Sequence, residues 1–405
     1  MPSASDTTTG AAPAGAAPGG AKERRSRFDT TLLGGKIALL VVIGALVLVF
    51  PQMAADPFIL SVGVVIASYA ALAVSWNFVG GFTGYISLGH AAYSGLGGYA
   101  TALFITRADL NPWVALIVGG LLVAVLAVPI GIASLRVRGA SFVIVSIALV
   151  LILLLVAQSW ASLTGGAQGL RVPRPFGEDV LRPEQHERFF YIHVAFIVVA
   201  LALWWAIDRS RFGMGLKAIR EDEDKAQALG VPTGGYKLTV FVISAFFTAV
   251  AGGLYALWFG YLDPIFQFSI LIGSYMVLMS LLGGLRSLMG PVLGAVIVGY
   301  SLEFFKVHYG DSQFHLVALG LLLALVVLFM PDGVLPAVGA LVDRFRPEKR
   351  TSIREMTAEE LLEHNRRLDG GTGTPEGTAS PAGSGPGATD AERDLATVPP
   401  REEQR

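Results

Sequence analysis

Long apolar runs are the feature that most limits what this 405-residue chain can fold into. A helix needs roughly 20 residues to cross the hydrocarbon core of a bilayer, where the backbone must be hydrogen-bonded within the fold. The third and ninth candidate runs are rich in glycine, which predicts interrupted or partly re-entrant helices and leaves eight or nine crossings as an alternative to ten. The ten candidate spans are 36–51, 57–79, 84–105, 112–135, 140–162, 189–208, 236–259, 268–284, 288–305 and 314–330.

The distribution of positive charge predicts how these spans are oriented. With the N-terminus inside, 18 Lys and Arg residues fall in inside segments and six in outside loops, and cytoplasmic loops normally carry this excess. We therefore predict an all-α polytopic membrane protein with about ten helices and both termini cytoplasmic. The membrane domain covers 36–336, after a disordered tail over 1–35. A mostly disordered tail over 337–405 follows, with a short helix near 358–367.

Composition excludes several functional classes. Only 15% of the residues are charged, against about 25% in soluble domains. The chain has no cysteine, which excludes disulfides, thiol catalysis and Cys-zinc sites. It has neither a G-x-x-x-x-G-K-[ST] phosphate loop nor an H-E-x-x-H zinc motif, so we predict no enzyme and no bound cofactor. Glu303 is the one acid near a membrane centre, which argues against an ion-coupled carrier.

The segment 210–230 is the most informative inside stretch. It is too long for a tight turn and too charged to enter lipid. Good helix formers run from 216 to 229, and Leu216, Ile219, Ala226 and Leu229 approximate one helical stripe. Gly230 suits a helix C-cap, and the proline at position 232 prevents continuation. The segment is either a solvated connection or a short amphipathic helix that docks another protein.

Two glycine-rich stretches predict close helix contact or a path for a solute. The first, 77–99, has seven glycines and places polar side chains at an apolar site, where they normally face protein or water. His90 either lines a path or makes a structural hydrogen bond to a neighbouring helix. The second, 280–295, has Gly283 and Gly284 at the end of a span. It continues with the G-x-x-x-G pair Gly290 and Gly294, which serves intrachain packing, a gate or a subunit interface.

A mixed-charge loop, 163–187, is the longest outside connection. It contains Arg171, Arg174 and Arg182 among four acidic residues. Such a loop is either an ordinary exposed connection or a docking surface for a soluble partner.

Several motifs together resemble the permeases of ATP-binding-cassette importers for branched-chain amino acids, and more specifically their LivM type. Residues 85–99 are similar to the family signature G-x-SLGHAAF-x-G-x-GAY, and 282–295 to GGLGSLLGPVLGA, with Arg286 where the family often has glycine. The arginine-glycine turn at 136–139 and the long outside loop favour the LivM type. Seven such elements occur in the family order over 36–336.

The resemblance implies a multi-pass subunit of the bacterial inner membrane. It would pair with a second, related permease, two cytoplasmic ATPases that hold ATP and Mg²⁺, and an extracytoplasmic binding protein that delivers the amino acid. The ATPase-coupling helix would cover about 216–230, with these candidate residues: Lys217, Arg220, Glu221, Asp222, Asp224, Ala226, Leu229 and Gly230. Candidates for the translocation path or for helix packing are Ser87, Gly89, His90, Ser94, Gly97, Ser274, Tyr275, Gly283, Gly284, Gly290 and Gly294.

Two questions stay open at the level of sequence. The rival hypothesis is a stand-alone channel or ion-coupled carrier, which would not need the docking element. A membrane-embedded enzyme is a third, weaker hypothesis because no catalytic pair is visible. The solute is also undetermined, since related permeases serve branched-chain amino acids, aromatic compounds, urea and short amides.

Overall fold

The computed structural model describes residues 47–54, 56–177 and 180–309, and the single residues 44, 317, 320, 321, 324, 333 and 334. Its helices are α1 (Pro57–Thr83), α2 (His90–Ala108), α3 (Pro112–Ser134), α4 (Ala140–Ser159), α5 (Ala161–Thr164), α6 (Arg182–Asp208), α7 (Arg211–Glu221), α8 (Glu223–Ala228), α9 (Thr233–Phe259), α10 (Pro264–Gln267), α11 (Ile270–Gly283) and α12 (Gly290–Tyr309). The strands β1 (Leu170–Arg171) and β2 (Tyr261–Leu262) form one antiparallel pair.

Seven segments of the described chain are long and apolar enough to cross a membrane: α1, α3, α4, α6, α9, α10 with α11, and α12. The described part is therefore a helical, multi-pass fold, as predicted. The first predicted span lies partly outside the described residues, and so does most of the last. Both terminal tails and the short helix near 358–367 also lie outside them. The predicted total of ten spans stays a prediction.

The third predicted span is interrupted. Residues 84–89 are not helical, and α2 begins only at His90. Gly84 ends α1 with a φ of 73°, a left-handed conformation that glycine adopts without a steric penalty. The glycine-rich ninth span, by contrast, forms the continuous helix α12 after a turn over 284–289.

Two long helices occupy the centre of the fold. α1 and α9 have 27 residues each, a length of about 40 Å. They contact one another, α9 also packs on α2 and α3, and α1 packs on α6, α11 and α12. α4 lies at the periphery, and its exposed apolar side chains suit contact with lipid, among them Ile144, Ile152 and Leu155.

The connections lie at two opposite ends. One end carries the segment 209–232, the stretch 84–89 and the turns near Arg138 and Arg286, which ion pairs join. We call it the charged end. The other carries the β1–β2 pair and a hydrogen bond from Arg107 to the Ser162 carbonyl, and we call it the hairpin end.

Glycines let α2 and α9 touch backbone to backbone. A methyl group on Gly97 would overlap the Ala249 carbonyl, and one on Gly252 would overlap the Ser94 carbonyl.

We expect Gly252→Ala to destabilise the protein by about 1–3 kcal/mol, because rigid backbone cannot move aside. Gly235→Ala, in the first turn of the same helix and with open space around it, is the control and should have no destabilising effect. Thermal unfolding in detergent measures both; equal melting temperatures would contradict the packing argument.

Candidate functional site

The segment 210–232 folds as two short helices rather than the single helix that the sequence predicted over 216–230. α7 ends at Glu221, and Asp222 is extended, with φ of −163° and ψ of 109°. Its carboxylate accepts hydrogen bonds from the backbone N–H groups of Asp224 and Lys225, which caps α8. The expectation of one continuous helix is therefore wrong, because the local cap at Asp222 restarts it. Gly230, with φ of 87°, follows the end of α8 as predicted.

The break changes which residues face outward. Leu216, Ile219 and Ala226 are buried, but Leu229 is 84% exposed and does not belong to their stripe. The burial of Ala226 does not fit its predicted place on a contact face. The acidic and basic residues of the segment that remain exposed are Arg211, Glu221, Asp224 and Lys225. Lys217 pairs with Asp208 at 2.6 Å and so lies beside the end of α6.

Arg220 ties the charged segment to the end of α1. Its guanidinium donates to the Gly81 carbonyl over 2.7 Å, and its side chain is 18% exposed. Carbonyls in the last turn of a helix have no intrahelical partner, and the helix dipole there favours a cation. Arg220 therefore faces the membrane helices, not the solvent contact face that the sequence analysis assigned to it. Glu221 beside it reaches Arg286 at 3.5 Å.

Glu223, the first residue of α8, joins the charged segment to α9, to the stretch 84–89 and to the turn near Arg138. Its carboxylate pairs with Lys237 of α9 at 2.6 Å, accepts from the Tyr85 hydroxyl at 2.9 Å and lies 3.3 Å from Arg138. Lys237 also donates to the Tyr85 oxygen at 3.1 Å. The side chains of Glu223 and Lys237 are only 12% and 5% exposed. We call Tyr85, Arg138, Glu223 and Lys237 the Glu223 cluster.

The Glu223 cluster makes stability depend on acid pH. Burial alone raises the pKa of Glu223, but the hydrogen bonds from Lys237 and Tyr85 and the nearby positive charges hold that pKa below 4.5, its ordinary value. When the pKa of a carboxyl group is lower in the folded than in the unfolded protein, its contribution to stability is complete above the unfolded-state pKa. That contribution is lost as the pH falls through the folded-state pKa. We expect the melting temperature of the wild type to fall more steeply below about pH 4.5 than that of Glu223→Gln. Parallel slopes would contradict this.

The cluster was not predicted from the sequence. Tyr85 and Lys237 are 152 positions apart, and only packing brings them together. The one available signal was Lys237 itself, a charged residue at the start of a long apolar run.

The interrupted stretch 84–89 is held by side chains from other helices. Trp76 of α1 donates to the Ser87 carbonyl at 2.6 Å, and the hydroxyl of Ser146 on α4 accepts from the Leu88 N–H at 3.1 Å. Gly89 lies against Ser146, where a methyl group would be in tight contact. Of the predicted path residues, Ser87 and Gly89 line a cavity of about 290 Å³ at this end.

His90 makes the structural hydrogen bond that was one of its two predicted uses. Its Nε2 lies 2.8 Å from the Ser244 hydroxyl, which itself donates to the Ser75 carbonyl at 2.6 Å. Because that hydroxyl has one proton, His90 must be the donor, so Nε2 is protonated. The ring is fully buried and is not in the wall of the cavities described here. Ser94 packs on α9 and lines a second cavity at the hairpin end.

The remaining candidates lie on α11 and α12. The Ser274 hydroxyl donates to the Ile270 carbonyl of its own helix, and the Tyr275 ring packs edge-on against Tyr69 at 6.0 Å. The four glycines bring α11 and α12 into contact inside the chain: Gly283 touches Gly290, Gly290 also approaches Gly284, and Gly294 meets the Met279 carbonyl. Among the described residues, no group of three His, Asp or Glu side chains is placed to hold a metal ion.

Comparison with known proteins identifies the family of the chain. The family model described as "Branched-chain amino acid transport system / permease component" matches residues 58–330. The permease LivM of Escherichia coli is 29% identical, with 69% of this chain and 72% of LivM aligned. LivH of Salmonella typhimurium is 27% identical over 66% of this chain and 91% of LivH. BraD of Pseudomonas aeruginosa is 35% identical over 36% of this chain and 46% of BraD.

No solved structure is significantly similar to the chain. The family model covers most of the membrane helices and the whole charged segment. The chain therefore belongs to the permease family of branched-chain amino acid transport systems, within which it is of the LivM type.

Proposed function

We propose that this chain is the permease subunit of an ATP-driven importer that carries amino acids, and branched-chain ones in particular, across the bacterial inner membrane. The relatives LivM and LivH are named as permeases of high-affinity branched-chain amino acid transport systems. The observation that carries the mechanism is the Glu223 cluster, which ties an exposed segment to the central helix α9 and to the interrupted stretch 84–89.

The proposed partners bind at the two ends of the fold and beside the membrane helices. A related permease, of the LivH type, completes the membrane path. Two ATPases, which hold ATP and Mg²⁺, dock at the charged end on the exposed residues of 221–229. A soluble binding protein docks at the hairpin end, where Arg171, Arg174 and Arg182 line a cavity of about 740 Å³. Three arginines there suit an acidic surface on that protein.

The proposed topology keeps ten spans with both termini in the cytoplasm. The membrane domain is 36–336, and the tails are 1–35 and 337–405. In that orientation the charged end is cytoplasmic and the hairpin end is outside. Both assignments agree with the excess of Lys and Arg on the inside.

The proposed mechanism is alternating access without covalent chemistry in this subunit. ATP closes the ATPase dimer and moves the segment 210–232. Arg220 transmits the motion to the end of α1, and the Glu223 cluster transmits it to α9 and to the stretch 84–89. Coupling requires that these contacts differ in free energy between two states. Ser87, Ser94, Ser274 and Tyr275 remain our candidates for polar groups along the path. The glycines and His90 serve helix packing.

Co-purification and uptake test the proposal. We would express the tagged chain with the products of neighbouring genes, isolate it in detergent and reconstitute it with its binding protein. The proposal expects an ATPase and a second permease in the isolate, and uptake of leucine that requires ATP. If the chain purifies alone and transports a solute without ATP, the stand-alone channel or carrier takes its place.

A further inference from the structure

A cavity of about 540 Å³ opens at the hairpin end between α1, α9, α11 and α12. Its floor includes Ser68, Leu72 and Ser94, which are buried. Its volume lies within the range of sites that hold small ligands, about 300–1,000 Å³.

An interrupted membrane segment forms one wall of the cavity. After β2, the chain makes the short helix α10 and restarts as α11 at Ile270. Asp263 and Ser269 cap the two helices by accepting backbone N–H groups at 2.8 and 3.2 Å. Non-helical backbone at membrane depth is tolerated where it is buried in protein or lines a cavity, and transporters place substrates beside such interruptions.

The charges in the wall favour a cation. The lining contains two carboxylates, Asp263 and Glu303, and one ammonium, Lys306. Glu303 pairs with Lys306 at 2.7 Å and is 16% exposed, so its charge is held inside the site. The Tyr69 and Tyr255 rings line the same cavity as Glu303. Aromatic faces beside a carboxylate attract ammonium groups through cation–π contact.

The same wall offers a donor and an apolar surface. Gln267 is 2% exposed, and its amide nitrogen has no acceptor within the part of the chain that the structure describes. A buried hydrogen-bond donor without an acceptor costs free energy, and a bound ligand can supply the missing acceptor. Val65, Leu72 and Ile272 supply branched aliphatic contacts close to these polar groups.

We propose that this cavity is a binding site for one amino acid on the import path, with the ligand's ammonium beside Glu303. The carboxylate accepts from the Gln267 amide, and an aliphatic side chain packs on Leu72 and Ile272. The proposal deepens the proposed function and rests on it for the direction of transport. The binding chemistry itself depends only on the residues of this chain.

Protection of a single cysteine tests the site directly, because the chain has no cysteine of its own. Val65→Cys places a thiol in the cavity wall, and Phe266→Cys is a second reporter at a more exposed position. We would measure the rate of maleimide labelling of the full chain in membrane vesicles without ATPase or binding protein. Saturating L-leucine is expected to slow labelling at both positions at least about threefold.

Two leucine analogues and two further variants test which group of the ligand is recognised and at which cavity. 3-Methylbutylamine, which keeps the ammonium, should protect, whereas 4-methylpentanoate, which lacks it, should not. Val145→Cys, the same substitution in the cavity at the charged end, should be labelled at a rate that leucine does not change. Adding Glu303→Gln to Val65→Cys should remove the protection by leucine, measured in that variant as the ratio of its labelling rates with and without leucine.

The outcomes separate the two proposals. If leucine leaves both reporters unchanged, or protects Val145→Cys equally, the cavity is not the site. If 4-methylpentanoate protects as well as leucine, the ammonium assignment to Glu303 is wrong. If uptake depends on ATP but leucine gives no protection, the binding-site proposal is wrong and the importer proposal stands. If leucine protects but the chain binds no ATPase, the binding-site proposal stands and the importer proposal is wrong.

Discussion

Glu223→Gln is expected to destabilise the protein by about 3 kcal/mol and to uncouple ATP hydrolysis from uptake. Lys237 is 5% exposed, and the substitution leaves its charge buried without its strongest partner. Removing one member of a buried ion pair typically costs about 3–5 kcal/mol. Glutamine keeps only one acceptor oxygen in place of two, so the Lys237 ammonium and the Tyr85 hydroxyl compete for it, which weakens the hold of α8 on the stretch 84–89.

Thermal unfolding in detergent and uptake per ATP hydrolysed measure the two effects. The double variant Glu223→Gln/Lys237→Met removes both charges and should recover part of the stability but not the coupling. Asp224→Asn is the matched control, because Asp224 pairs with the same Arg138 but is 78% exposed. Its effect should stay below about 1 kcal/mol. If Glu223→Gln transports with unchanged efficiency, the cluster does not carry the coupling.

Leu229→Asp is expected to weaken ATPase binding about 30-fold or more. An apolar side chain that is 84% exposed in a charged segment suits a partner's pocket, and central contacts of this kind cost about 2 kcal/mol or more when lost. The amount of ATPase retained on the tagged chain after a detergent wash measures the effect. Because Leu229 makes little contact within the chain, the variant should elute as a folded, monodisperse protein.

Two further variants identify the cause. Leu229→Met should retain the ATPase, since it keeps the apolar contact. Gln227→Asp, which adds the same charge at a nearby exposed position, should weaken binding only slightly. Glu221→Lys tests the charged rim, whereas Asp222 is unsuitable because its carboxylate caps α8. Retention of the ATPase by Leu229→Asp would place the docking surface elsewhere.

Much of the helical framework could be predicted from the amino-acid order. The predicted spans 57–79, 112–135 and 236–259 begin within about three residues of α1, α3 and α9. The lengths of apolar runs and the breaks after them are local properties, which explains this agreement. The interruption before α2 was also foreseeable, because glycine is concentrated there.

Of the two errors in the charged segment, one came from a local helix cap and the other from a contact between distant parts of the chain. The spacing placed Leu229 in one helical stripe with Leu216, Ile219 and Ala226 on the assumption of one continuous helix. The cap at Asp222 restarts the helix, which turns Leu229 outward and away from the other three. Arg220 was placed on the ATPase contact face by the family resemblance, which does not reveal the hydrogen bond from its guanidinium to the Gly81 carbonyl.

By itself, the sequence determined a multi-pass helical membrane fold, and its motifs indicated the permease family, because apolar runs and short motifs are local properties of the chain. Only the tertiary structure decided which polar groups meet: Glu223 with Lys237 and Tyr85, and Glu303 with the aromatic cavity. The reason is physical. Burying a charge is favourable only when a partner is in place, and helix packing brings those partners together from positions far apart in sequence.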